Sequence, residues 1–140
     1  MRALLGVLAA SMIFANGTGT AGKDSEIAKQ LELHQMRATA YKSENTLTYT
    51  GTVPHVGVAA ARKDLIGKTI AMYQRLPGNE VGELIGIYEI QDTGPAEGVA
   101  NGNVIDIWCP NLDACQDFMN QIYADGCHGK VFVQFFNAEG

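Results

Sequence analysis

No run of lysine and arginine occurs in this chain, and no segment is apolar for long enough to make an ordinary bilayer span. The first absence removes any track for nucleic-acid phosphates, so no nucleic-acid partner is expected. A formal net charge of −5 agrees, though it says little about neutral glycans. At 46% hydrophobic residues the chain is not a disordered polyelectrolyte either. Cysteine is scarce: Cys109, Cys115 and Cys127 are all there is. No Cys-x-x-Cys pair occurs, so a Cys3His set completed by His128 lacks metal-site spacing and no metal is expected. The literal Gly-x-Gly-x-x-Gly at Gly17–Gly22 precedes no helical pattern and lies in no βαβ unit, so no dinucleotide cofactor is implied.

The amino terminus differs from the rest. Met1-Arg2 is followed by an apolar run from Ala3 to Phe14, then by small residues to Gly22. This reads as a signal peptide over residues 1–22, too short for an ordinary span, which would place the mature chain outside the cell or in its envelope. No cysteine near the junction could be lipidated. In such a compartment two of the three cysteines would pair; the sequence leaves open which two. Residues 23–35 read as a linker or short helix starting at Asp24 or Ser25, and residues 36–140 as one domain.

Within that domain turn residues punctuate short alternating runs. Strands are expected at Met36–Tyr41, Val58–Ala61, Lys68–Gln74, Val81–Ile90, Val104–Cys109 and Gly129–Phe136, with a hairpin turn at Leu76–Glu80 and a loop at Ala96–Gly102. One helix is expected after Asn111, its N-cap, with Leu112, Cys115, Phe118 or Met119, and Ile122 on one face. Six short strands and one helix predict a mainly β protein, a small closed barrel with the helix before the last strand.

Two carboxylates stand at the ends of apolar runs: Asp92 after Leu84–Ile90, and Asp106 within Val104–Trp108. A carboxylate there is costly to bury unless it is hydrogen-bonded or used. Paired strands would bring both to one site. Strict alternation puts Asp92 on a face with Tyr88 and Ile90, and Asp106 with Val104 and Trp108. Aromatic faces stack on sugar rings, and a desolvated aspartate can hold its proton at neutral pH. The plainer reading has both acids capping strand ends, and both aromatics in the core.

Ala38-Thr39-Ala40-Tyr41, Thr48-Tyr49-Thr50-Gly51-Thr52-Val53-Pro54, Gly57-Val58-Ala59, Gly67-Lys68-Thr69, Asp92-Thr93-Gly94 and Val104-Ile105-Asp106-Ile107-Trp108 occur in the order of the three-aspartate or "3D" domain. Over residues 36–136 the chain resembles that family, which includes the catalytic barrel of membrane-bound lytic transglycosylase A and Gram-positive stationary-phase survival proteins. The resemblance implies a six-stranded double-psi β-barrel that cleaves peptidoglycan glycan strands without water and leaves 1,6-anhydro ends. It makes Asp106 the general acid/base and Asp92 its assistant. Thr50, Thr52, Gly94, Tyr88 and Trp108 become substrate-binding candidates. The chain departs from the family at Arg62, which holds the place of the first aspartate with Asp64 two residues on, and at Pro95. A non-catalytic glycan-binding module of expansin-like type is the alternative those departures favour.

Overall fold

The punctuation by glycine, proline and asparagine carries into three dimensions. In the computed structural model, which describes residues 32–94, 99 and 102–136, six strands close into a barrel. They are β1 (His34–Tyr41), β2 (Val58–Ala60), β3 (Thr69–Leu76), β4 (Glu80–Asp92), β5 (Val104–Trp108) and β6 (Lys130–Phe136). Helix α1 (Leu112–Tyr123) precedes β6, and short 3-10 turns occupy Lys63–Leu65 and Ala124–Gly126. The expected leader at 1–22, residues 23–31 of the linker, and positions 95–98 and 100–101 lie outside the described residues. β1 begins at His34, two residues before the expected start. Among the described residues no helix is long and apolar enough to cross a membrane.

Around the barrel the order is β1-β5-β2-β4-β3-β6, with β6 closing on β1. β1 pairs with β5 and β2 with β4 in parallel, while the β2–β5 and β3 pairings are antiparallel. In sequence the β2–β4 pair lies inside the β1–β5 pair, so each parallel pair is joined by a crossover connection rather than a hairpin, within the closed six-stranded barrel. The two acid-bearing strands are not neighbours, as paired strands would require; β2 lies between β4 and β5. A tight hairpin joins β3 to β4 through Pro77-Gly78-Asn79, where Gly78 and Asn79 take φ of 80° and 60°, the left-handed values such a turn demands.

Alternation sorts the side chains. Ala38, Ala59, Ile70, Met72, Ile90, Ile105, Ile107, Val131 and Val133 fill the interior. Each fully buried Ile contributes about 1.5–3 kcal/mol. The small Ala38 and Ala59 let the crossing strands approach. Helix α1 closes one end of this core. Its N-cap is Asn111, whose side chain accepts the Ala114 N–H at 2.8 Å. Phe118 and Ile122 carry the packing, and Leu112 does not share their face: it is 71% exposed. At 100° per residue Leu112 sits about a quarter turn off the stripe centred on Cys115, Phe118 and Ile122.

Candidate functional site

Outward-facing residues form the site. Register aligns Thr39 with Asp106, Asp106 with Ala60, and Ala60 with Asp92, a single row across β1, β5, β2 and β4. Their neighbours Ala38, Ile105, Ala59 and Ile90 point into the core. Strict alternation along β4 would have sent Asp92 inward with Ile90. A bulge prevents this: Ala59 opposes Ile90 but Ala60 opposes Asp92, leaving Gln91 as the extra residue. The expected face shared by Asp92, Tyr88 and Ile90 is thus broken at Gln91, and the break brings both acids to one side. Ala60, buried at 4% exposure and carrying only a methyl group, separates them.

The two carboxylates are held differently. Asp92 accepts three hydrogen bonds: Tyr41 Oη donates to Oδ2 at 3.0 Å, and the Tyr49 and Thr93 N–H groups donate to Oδ1 at 3.0 and 2.9 Å. Asp106 accepts the Thr39 hydroxyl on Oδ1 at 2.8 Å. Burial pushes the Asp106 carboxyl above its usual range; the Thr39 bond opposes this and the nearby Asp92 charge adds to it. Burial, followed by the Asp92 charge, likewise raises Tyr41 and keeps it a donor. One acid is therefore clamped by donors, and the other is biased toward holding a proton.

Both open into a cavity of about 580 Å³ lined by Tyr41, Ala60, Asp92, Gly94, Val99 and Asp106, among others. A second hollow of about 520 Å³ shares Ser43, Thr46 and Leu47 with the first and adds Val53, Pro54 and Trp108. The Trp108 indole N–H donates to Ser43 Oγ at 3.1 Å. The result is a groove with acids at one end and an apolar shelf at the other.

No protein-family model matches the chain, and comparison with curated proteins finds no match.

The candidate residues are distributed unevenly over this geometry. Asp92, Asp106, Gly94 and Trp108 line the groove. Tyr88 does not: it packs against the core, lies over Gly86, and has its phenol pushed up to about 12 by burial and the Cys109 charge. Thr50 and Thr52 line neither hollow. Their hydroxyls cluster with buried Thr48, at 3.0 and 2.7 Å, and Thr52 donates to the Gln91 side chain. That cluster pins the loop to the bulge of β4 and so delivers the Tyr49 N–H to Asp92. Arg62 turns away from the acids: Nε meets Asp64 Oδ1 at 2.7 Å and Nη1 reaches the Gly102 carbonyl at 3.3 Å. Thr39 and Tyr41 are site residues that sequence reasoning missed. The signal was present in Ala38-Thr39-Ala40-Tyr41, where small apolar residues alternate with hydroxyl-bearing ones at the period of a strand.

Proposed function

We propose that this protein is a peptidoglycan lytic transglycosylase, with Asp106 as its single general acid/base. The observation that carries the reading is the asymmetry of the two acids on one row. Asp106 is desolvated and raised in proton affinity beside a clamped Asp92. A general acid that must still hold its proton near neutral pH needs that environment.

In the proposed reaction Asp106 donates its proton to the glycosidic oxygen between N-acetylmuramic acid and N-acetylglucosamine. The C1–O bond breaks and positive charge develops at the muramyl C1. The same carboxylate then takes the proton from the muramyl 6-hydroxyl as O6 bonds to C1, which closes the 1,6-anhydro ring and returns Asp106 to its starting state. Because the nucleophile comes from the substrate, the carboxylate separations of two-acid hydrolases do not apply. Asp92, held by Tyr41, Tyr49 and Thr93, lies close to Asp106, and a negative charge there favours the protonated form of Asp106. The Trp108 shelf offers an aromatic and apolar surface to neighbouring rings.

Peptidoglycan incubated with the purified protein should release anhydro-muropeptides, identified by mass spectrometry, and Asp106→Asn should abolish them while binding to sacculi persists. Reducing-end products would mean hydrolysis by water and defeat the transglycosylase reading. The second reading, a glycan-binding module without chemistry, is favoured by Arg62, whose pairing with Asp64 leaves no third acid among the described groove residues. It requires that sacculi bind the wild type and Asp106→Asn equally with no soluble products from either.

A further inference from the structure

The three cysteines play no part in the proposed chemistry, and the fold treats them unequally. Alternation beyond Ile107 turns Cys109 toward the interior, where it is 3% exposed, and its N–H extends the β5–β1 pairing by donating to the Tyr41 carbonyl at 2.8 Å. The chain then reverses through Pro110 and Asn111. Helix α1 begins, and Cys115 falls in its opening turn with its N–H on the Asn111 carbonyl at 3.2 Å. Helical spacing places Cys115 on the stripe of Phe118 and Ile122 that faces the barrel. An inward strand end and a barrel-facing first turn, joined by five residues, therefore converge.

We propose that Cys109 and Cys115 form a disulfide that ties the end of β5 to the first turn of α1. Both thiols are free in the structure, where Cys109 Sγ donates to the Ile107 carbonyl at 3.6 Å; after burial, the nearby Cys115 is the next cause holding the Cys109 thiol up, at about 12. Cys127 belongs to another neighbourhood. It is fully buried, and the charges it meets are those of Asp125 and Arg75. Exposure sets the order of events. Cys115 is the more accessible of the pair and attacks first, as thiolate, on an external small-molecule or protein disulfide; one thiol of that oxidant leaves. Cys109 then loses its proton and attacks Cys115 Sγ, expelling the second thiol. Two protein thiols are oxidised, one external disulfide is reduced to two thiols, and the S–S bond is the only new bond. Burial of Cys109 makes the second step slow, and keeps the finished bond out of reach of reductants. The link sits three residues beyond Asp106 and fixes the end of the strand that carries it. This inference is independent of the proposed reaction.

The full chain equilibrated with oxidised and reduced glutathione, then alkylated and unfolded, decides the matter by peptide mapping. Cleavage before aspartate separates the three cysteines, because Asp113, Asp117 and Asp125 fall between them. The expected product joins the 106–112 and 113–116 fragments through one bond, about 2 Da lighter than the two free thiols, while Cys127 is recovered free and is alkylated only after unfolding. Separate alkylation of Cys109 and Cys115 under these oxidising conditions would overturn the proposal, as would Cys127 joined to either. Cys127→Ala should keep the same cross-link; losing it there would also overturn the assignment.

Discussion

Replacing Thr39 by valine removes one hydroxyl and keeps the shape and β-branching of the side chain. The hydroxyl donates to Asp106 Oδ1 at 2.8 Å, with both groups part-buried. A hydrogen bond to a charged group contributes about 1.5–3 kcal/mol when well shielded, and a neutral one about 0.5–1.5 kcal/mol. At this half-shielded position the loss with Asp106 ionised should fall near the bottom of the charged range, about 1.5 kcal/mol. For a domain of this size that lowers the melting midpoint by roughly 4–8 °C per kcal/mol. The bond favours the ionised form of Asp106 and so opposes the upward push of burial. Without it Asp106 must titrate higher still, and the penalty of the substitution must grow as pH rises through that titration. Denaturant unfolding at pH 3 and pH 7, with carboxyl NMR of Asp106, reads both effects. A Thr39→Val protein equally destabilised at the two pH values, or one in which Asp106 titrates lower, would refute the role assigned to this bond.

Two further outcomes follow from the same geometry. Asp106 has a folded-state pKa raised above its ordinary 3.8, so its contribution to stability is complete below that value and is lost as pH rises through the raised one; Asp106→Asn should therefore stabilise the fold at pH 7 by roughly 0.5–2 kcal/mol, a gain that fades below pH 4, and a variant less stable at pH 7 than at pH 3 relative to wild type would contradict it. Gly129 has φ of 75° and an added Cβ would lie 2.8 Å from the Tyr123 ring, which is half exposed and can swing aside, so Gly129→Ala should cost about 1–2 kcal/mol from backbone strain, measured by chemical unfolding, and an unchanged midpoint would show that strain to be absent.

Strands β2 to β6 were readable because each meets glycine, proline or asparagine within two residues of an end. The start of the helix was readable because Asn111 is a strong N-cap. The candidate site was only partly legible. Asp92 and Asp106 stood out as acids in apolar runs. Their convergence, however, depends on two non-local facts. One is the insertion of β2 between their strands; the other is the bulge at Gln91 that turns Asp92 outward. No local pattern announces a one-residue bulge, since its cause is the pairing of β4 with a strand more than 30 residues earlier. The same limit explains Tyr88. Its strand alternation is correct, but inside a closed barrel the face it shares with Ile90 is core. Thr50 and Thr52 had the right chemistry to meet a sugar, yet three hydroxyls within five residues satisfy one another first.

The nesting of one parallel pair inside the other has a consequence for how this chain comes of age. Every row of the site joins residues far apart in sequence: Thr39 with Asp106, and Ala60 with both acids. No half of the chain contains a functioning half of the groove. A nascent chain that has not yet emitted β5 has Asp92 but neither its partner acid nor the edge against which β1 pairs, and β6 must still lock β3 to β1 before the ring is shut. Assembly governed by such distant contacts is slow and all-or-none. The groove consequently forms only after the last strand is laid down, and a chain cut short between β5 and β6 carries both acids in its letters without the closed ring that sets them.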